Sequence, residues 1–175
     1  MPVRLWLAVA DEDHPKACTG RRLLRQGLAL PLGLERTPRH PPILLDPHAS
    51  APLSPADRPA AEAGGVLGVD CSWNRLRARG GYPRELAGLG RLRVRRRLPL
   101  LIAANAQHYG RLAELNTAEA LAAALFVLGE PERARSVVRV FSGGDSFEAL
   151  NGALLAAYAG CGSADQVAAA EAEFF

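Results

Sequence analysis

The stretch GGVLGVDCSW, Gly64 to Trp73, decides how this chain folds. Two glycines stop whatever helix precedes them, and VLGV is a short apolar run of the kind buried on both faces of a parallel sheet. The run does not fade into polar turn residues. It ends in an acid, a thiol, a hydroxyl and an indole, Asp70 to Trp73. Ligands of open parallel sheets bind beyond the carboxyl ends of the strands, so a strand that stops at such a cluster aims it at a site.

Working outward, the chain upstream repeats this grammar. Val3 to Val9 reads as a first buried strand. Arg21 to Ala29 reads as a short helix with Leu23, Leu24 and Leu28 on one side, and proline and glycine punctuate Pro31 to Pro42. Ile43 to Leu45 is a second strand that Asp46–Pro47 ends, because proline cannot donate to a ladder. Ser54 is an N-cap with Pro55 at the first helical position, opening a helix to about Ala63. Short strands alternating with helices predict an α/β fold with a parallel sheet.

After Arg97 the character changes. LPLLIAAN, Leu98 to Asn105, begins apolar and turns at Asn105. Asn116 and Glu119 form an approximate capping box for TAEALAAALFVLG. Pro131 opens a further helix through Val140. Phe147, Leu150, Leu154 and Tyr158 recur at helical spacing, and Ser163 with Gln166 caps a last helix. The expectation is an α/β N-terminal domain, residues 1–97, followed by a helical C-terminal domain, residues 98–175.

At 175 residues the chain suffices to bury roughly 70% of the surface its unfolded form exposes. It has no run of about 18 apolar residues, so no membrane span is expected. MPVRLWLAVADED is too short and too soon acidic for a secretory signal, and a cytoplasmic protein is expected. Cys18, Cys71 and Cys161 show no CxxC or CxxH spacing, which reads as three reduced thiols. The net charge is +3, Lys16 is the only lysine, and acids concentrate in the last third. Arginine clusters at 21–25, 75–79 and 91–97 bracket the Asp70 motif and suggest a basic face for phosphates.

No GxGxxG or GxxxxGK[ST] follows a predicted strand, which disfavours dinucleotide and P-loop sites. Ser72 lacks GxSxG context and has no evident histidine base. Asp11, Asp13, His14 and Cys18 are too irregularly spaced to be read as a metal site. Two readings fit Asp70 and Trp73, three apart. One is a helix N-cap followed by a core tryptophan; the other is a carboxylate and an aromatic face for a small cation.

The ordered motifs DHPKACTGRRLLRQGL (13–28), DCSW (70–73), LPLLIAANAQHYG (98–110), LNTAEALAAALFVLG (115–129) and SFEALNGALLAAYAGC (146–161) resemble the small-subunit rRNA aminocarboxypropyltransferase family. The resemblance implies a SPOUT-like fold with a deep trefoil knot, a documented exception to unthreaded chains. It implies S-adenosylmethionine as cofactor and transfer of its 3-amino-3-carboxypropyl group to N3 of a pseudouridine or N1-methylpseudouridine, releasing methylthioadenosine. A small-subunit rRNA or pre-ribosomal partner and a monomeric state follow from it too. Carried over position by position, Thr19, Val69, Asp70, Trp73, Leu98, Ala113 and Thr117 match cofactor-contact positions, and Asn105, Tyr109 and Gly110 belong to the knot segment. Asp70 would attract the sulfonium or take the N3 proton, and Trp73 would pack against the methyl group and block its transfer. Lys16, Arg21, Arg22, Arg95, Arg96 and Arg97 would rim the pocket and hold rRNA phosphates. The sequence departs from the family at Ala106, where relatives have proline, at Ala113, where larger residues are usual, and near Ser142, where a tryptophan is expected. The rivals are a SPOUT-like RNA methyltransferase with the same cofactor and a non-catalytic ribosome-assembly factor.

Overall fold

A computed structural model describes residues 1–10, 18–32, 40–82, 84–91 and 94–175. The Asp11–Asp13–His14 set and Lys16 lie outside the described residues. The sheet contains β1 (Leu5–Val9), β2 (Leu30–Pro31), β3 (Ile43–Leu45), β4 (Val66–Asp70) and β5 (Arg95–Arg96), in the order β2-β1-β4-β3-β5 with every pairing parallel. The GGVLGVD stretch is therefore the central strand, paired with β1 from Leu5–Val66 to Val9–Asp70.

The sequence readings place β1, β3 and β4 within a residue or two of their observed bounds. Neither β2 nor β5 is predicted. β5 is two arginines, so it offers no apolar pattern, and tertiary ion pairs hold it in place of side-chain burial. Arg95 Nε donates to Asp46 Oδ2 at 2.6 Å, and Arg96 Nε lies 3.1 Å from both oxygens of Asp57.

Among the helices, α1 spans Thr19–Arg25, α2 Arg58–Gly64, α3 Trp73–Arg79, α4 Thr117–Val127, α5 Pro131–Val138, α6 Gly144–Ala159 and α7 Ala164–Phe174. Helix α1 is shorter than expected because Gln26 caps it and Gly27 takes φ +68°. A 3₁₀ turn, Pro55–Asp57, precedes α2, with Ser54 N donating to Asp57 Oδ2 at 3.1 Å. The capping box of α4 forms as read. Glu119 N donates to Asn116 Oδ1 at 2.9 Å, and Asn116 N donates back to Glu119 Oε2 at 2.7 Å.

Alternation along β4 divides its side chains between two layers. Val66 belongs to the main core with α4, α5 and α6, while Leu67 joins Ala8, Leu44 and Leu89 on the other face. Gly68 lets α4 sit close, since a Cβ there would lie 3.3 Å from Leu121 Cδ2. The main core runs from Val3 and Leu5 to Tyr158 and Val167, so both halves of the chain share one apolar interior.

Candidate functional site

Segment 98–116 crosses from β5 to α4 without helix or strand, and polar side chains replace the missing ladder. Buried Asn151 in α6 accepts from Ile102 N at 2.7 Å and donates to Ile102 O at 2.8 Å. Tyr158 donates to Leu100 O at 3.0 Å, and Glu171 of α7 accepts from Leu100 N at 2.8 Å. Glu119, 0% exposed, accepts from Ala104 N, Asn105 N and Asn105 Nδ2 as well as from Asn116 N. Backbone groups in a buried loop must be satisfied, and these four side chains do it. The sequence signal for them was a polar residue inside an otherwise apolar helical stripe, as in SFEALNGALL and AAAEAEF.

This braced segment closes a cavity of about 740 Å³ at the carboxyl ends of β3, β4 and β5. Its wall brings together Thr19, Val69, Asp70 and Trp73 with Leu98, Ala113 and Thr117 from the other half of the chain. Arg22 and Arg97 also line it, whereas Arg21, Arg95 and Arg96 do not. Of the three arginines 95 to 97 expected at the rim, Arg97 is the one that lines the cavity. Two of them turn away into Asp46 and Asp57, and Arg97 makes a bidentate pair with Glu171 at 2.6 and 2.7 Å. Three buried carboxylates draw these half-buried guanidiniums inward, because an unpaired buried charge is far more costly than a paired one.

Asp70 closes β4 and is 8% exposed. Each of its oxygens already has a donor: Thr117 Oγ1 lies 2.7 Å from Oδ1, and Cys18 Sγ lies 2.7 Å from Oδ2. Cys18 caps α1, accepting from Arg21 N at 3.3 Å, and burial followed by the hydrogen bond to Asp70 pushes its thiol up to about 11. It therefore stays protonated at neutral pH and donates. Thr117 is the first residue of α4, whose N-terminal dipole favours negative charge at this point. Among the described residues no cation pairs with Asp70, so a carboxylate faces the cavity held by two neutral donors.

Two further features fix this corner. Helix α1 approaches so closely that a Cβ on Gly20 would lie 2.2 Å from Asp70 Oδ2. Sequence reasoning singled out Thr19 for this site, read Cys18 only as a reduced thiol, and did not name Gly20. Trp73 opens α3 and donates from Nε1 to Leu115 O at 2.8 Å, which fixes the ring plane at the cavity wall. It is a half-buried wall residue, so the cation-site reading and the plain core reading of this tryptophan part company. Ala113 holds φ +62°, a left-handed conformation that costs an alanine roughly 1 kcal/mol, and its N–H donates to Leu101 O at 2.8 Å.

A parallel sheet with a polar-tipped apolar cavity at its carboxyl edge defines a ligand-binding α/β protein. The family described as "Ribosome biogenesis protein, C-terminal" matches residues 43–175. The 16S rRNA aminocarboxypropyltransferase of Halobacterium salinarum is 38% identical over 97% of this chain and 94% of its own. That of Methanosarcina acetivorans is 42% identical over 90% and 86%. Against the 18S rRNA aminocarboxypropyltransferase of Schizosaccharomyces pombe, 35% identical, the chain spans 57% of the relative's length. The structure of the SAM-dependent rRNA acp-transferase Tsr3 from Vulcanisaeta distributa superposes with a TM-score of 0.80 at 34% identity, over 99% of this chain and 96% of that one. The chain belongs to the rRNA aminocarboxypropyltransferase family.

Proposed function

We propose that this protein transfers the 3-amino-3-carboxypropyl group of S-adenosylmethionine to N3 of a pseudouridine or N1-methylpseudouridine in small-subunit rRNA. The observation that carries the reading is Asp70, a buried carboxylate with two neutral donors and a tryptophan three residues on, facing a cavity of about 740 Å³. A sulfonium is a cation with apolar substituents, and a carboxylate beside an indole suits it. The cavity also has the volume and mostly apolar lining of a small-molecule site.

When bound, the cofactor would supply an activated carbon, with N3–C bond formation balanced by S–C cleavage and the S–C bonding pair retained by the sulfur of methylthioadenosine. The chain's own part is positioning. Both Asp70 oxygens accept hydrogen bonds, so Asp70 attracts and orients the sulfonium, and the N3 proton leaves through water. Trp73, held by its bond to Leu115, would pack against the methyl group of a bound cofactor and keep it from the acceptor. Thr19, Val69, Leu98, Ala113 and Thr117 hold the rest of the cofactor, largely through backbone groups. With the acceptor nitrogen and the carbon in line, alignment accounts for most of the rate.

The same proposal gives residues 98–175 a deep trefoil knot of SPOUT-like type, a reading supported by the braced segment that runs from β5 to α4 without helix or strand. It treats residues 1–97 and 98–175 as two layers around one shared core. Arg21 and Arg22, with Lys16, take rRNA phosphates, while Arg95, Arg96 and Arg97 act first as ties between the sheet and its acids. It takes the protein as a monomer that acts in the cytoplasm on rRNA or the pre-ribosomal subunit. Among the described residues no helix is long and apolar enough to cross a membrane.

The test uses S-adenosylmethionine labelled in the carboxypropyl chain or in the methyl group, with small-subunit rRNA. Carboxypropyl label in RNA with methyl label in methylthioadenosine supports the reading. Methyl label in RNA would make the protein a methyltransferase. Bound rRNA without transfer of either label, with RNA binding intact in Asp70→Ala and Trp73→Ala, would make it an assembly factor.

A further inference from the structure

We propose that Tyr109 is a stacking platform for an unpaired rRNA base next to the target nucleotide. This rests on the function proposed above and concerns the RNA side of the same cavity.

The loop that carries Tyr109 is built to be rigid. Ala103 N donates to Arg111 O at 2.9 Å, Gly110 N to Ala103 O at 2.8 Å and Ala113 N to Leu101 O at 2.8 Å. Gly110 takes φ +79° where the chain turns back to set residues 111–113 alongside 101–103, joined by the isolated antiparallel bridge Ile102–Leu112. At its base the buried Glu119 carboxylate clamps Ala104 and Asn105, and Asn105 Oδ1 accepts from His108 N at 3.0 Å. His108 and Arg111 are tied in turn to Glu114, at 3.5 and 3.4 Å.

A loop this well anchored normally tucks its aromatic residue inward. Here Tyr109 stands 61% exposed and Leu112 41% exposed, with the Arg111 side chain 62% exposed between them. The ring contributes nothing evident to the fold, and its neighbours Ala106, Gln107 and His108 line the cavity. It therefore follows directly on a stretch of the cavity wall, exposed beside the site that would take the acceptor base. Single-stranded RNA is held by stacking bases on aromatic rings and arginine planes, and a preformed ring loses little freedom when it does so. A protein partner would call for a broader apolar patch than one ring and one leucine. The chemistry favours a base: a flat, two-faced ring beside a guanidinium, next to a site that must take in one nucleotide and park its neighbour.

The experiment uses a small-subunit rRNA stem-loop carrying the target pseudouridine, with 2-aminopurine at a flanking position. The expected result is that Tyr109→Ala raises the KM for RNA roughly 5- to 150-fold and abolishes quenching of the 2-aminopurine on binding. Tyr109→Phe keeps both, and the affinity for S-adenosylmethionine is unchanged in either variant. Wild-type KM and quenching in Tyr109→Ala overturn the inference while leaving the proposed function standing. A defect seen only on assembled pre-ribosomal particles, and not on the stem-loop, assigns the ring to a protein surface and overturns it too. Absence of carboxypropyl transfer by the wild-type protein removes the proposed function itself, and this inference with it.

Discussion

Replacing Gly20 by alanine adds one methyl group at the tightest point of the site. The new Cβ would lie 2.2 Å from Asp70 Oδ2, 2.8 Å from Cγ and 3.0 Å from Cβ. Relief requires about 1 Å of movement, and the Asp70 side chain is poorly placed to give it, being buried and held from both sides by Thr117 and Cys18. Either α1 backs away or the carboxylate turns. Overpacking of this kind costs about 1–3 kcal/mol, against a gain of up to about 1 kcal/mol from alanine's helix propensity. Stability should fall modestly. Cofactor affinity should fall much further, roughly 10- to 100-fold, because the group that receives the sulfonium has moved by about 1 Å. Titration calorimetry with S-adenosylmethionine and thermal unfolding read the two effects separately. Gly152→Ala in α6 is the matched control: nothing lies within 4 Å of a Cβ there, so the same substitution should stabilise by about 0.5–1 kcal/mol and leave cofactor binding alone. Wild-type affinity in Gly20→Ala would show that Asp70 is not held where its neighbours put it, and the argument from its geometry would fail.

Four further outcomes are expected. Cys18→Ala and Thr117→Val each remove one donor to Asp70 and should weaken cofactor binding by about 1.5–3 kcal/mol, with Cys18→Ser retaining most of it, as measured by equilibrium binding. Glu119→Gln places an amide N–H₂ among four donors and should lower stability by on the order of 3 kcal/mol, read as a fall in Tm and in the denaturant midpoint. Trp73→Ala should let methyl label appear in rRNA at the expense of carboxypropyl label, since the side chain proposed to cover the methyl is gone. Above pH about 9 stability should decline towards pH 11, because the unfolded chain releases the Cys18 proton first while the folded chain holds it to about 11. Cys18→Ser should flatten that part of the curve, and iodoacetamide at pH 8 should spare Cys18 in the folded protein.

Much of the framework was legible where local chemistry and tertiary need agree. VLGVD reads as a buried strand because it is one, and Asn116 with Glu119 reads as a capping box because the same two side chains close it. Yet Glu119 also shows where such reading stops. Its second task, clamping Ala104 and Asn105, joins residues 14 and 15 apart with no local pattern to announce them. Arg95 and Arg96 show the same limit from the other side. As a sequence they are surplus positive charge suited to phosphate; in the fold they are an edge strand whose charges meet Asp46 and Asp57.

The sequence alone determined the class of fold, the order of its main elements, and the place of Asp70 at the end of a buried strand with Trp73 just beyond it. Periodicity, caps and turn residues act over a few positions, and they suffice for that. Only the tertiary structure decided that Cys18, Thr117 and Gly20 converge on Asp70, that three of the arginines serve the framework, and that Tyr109 is held outward. Those outcomes depend on groups that meet across 39 to 74 residues of chain, where an ion pair or hydrogen bond is set by the packing of the core and leaves no periodic trace.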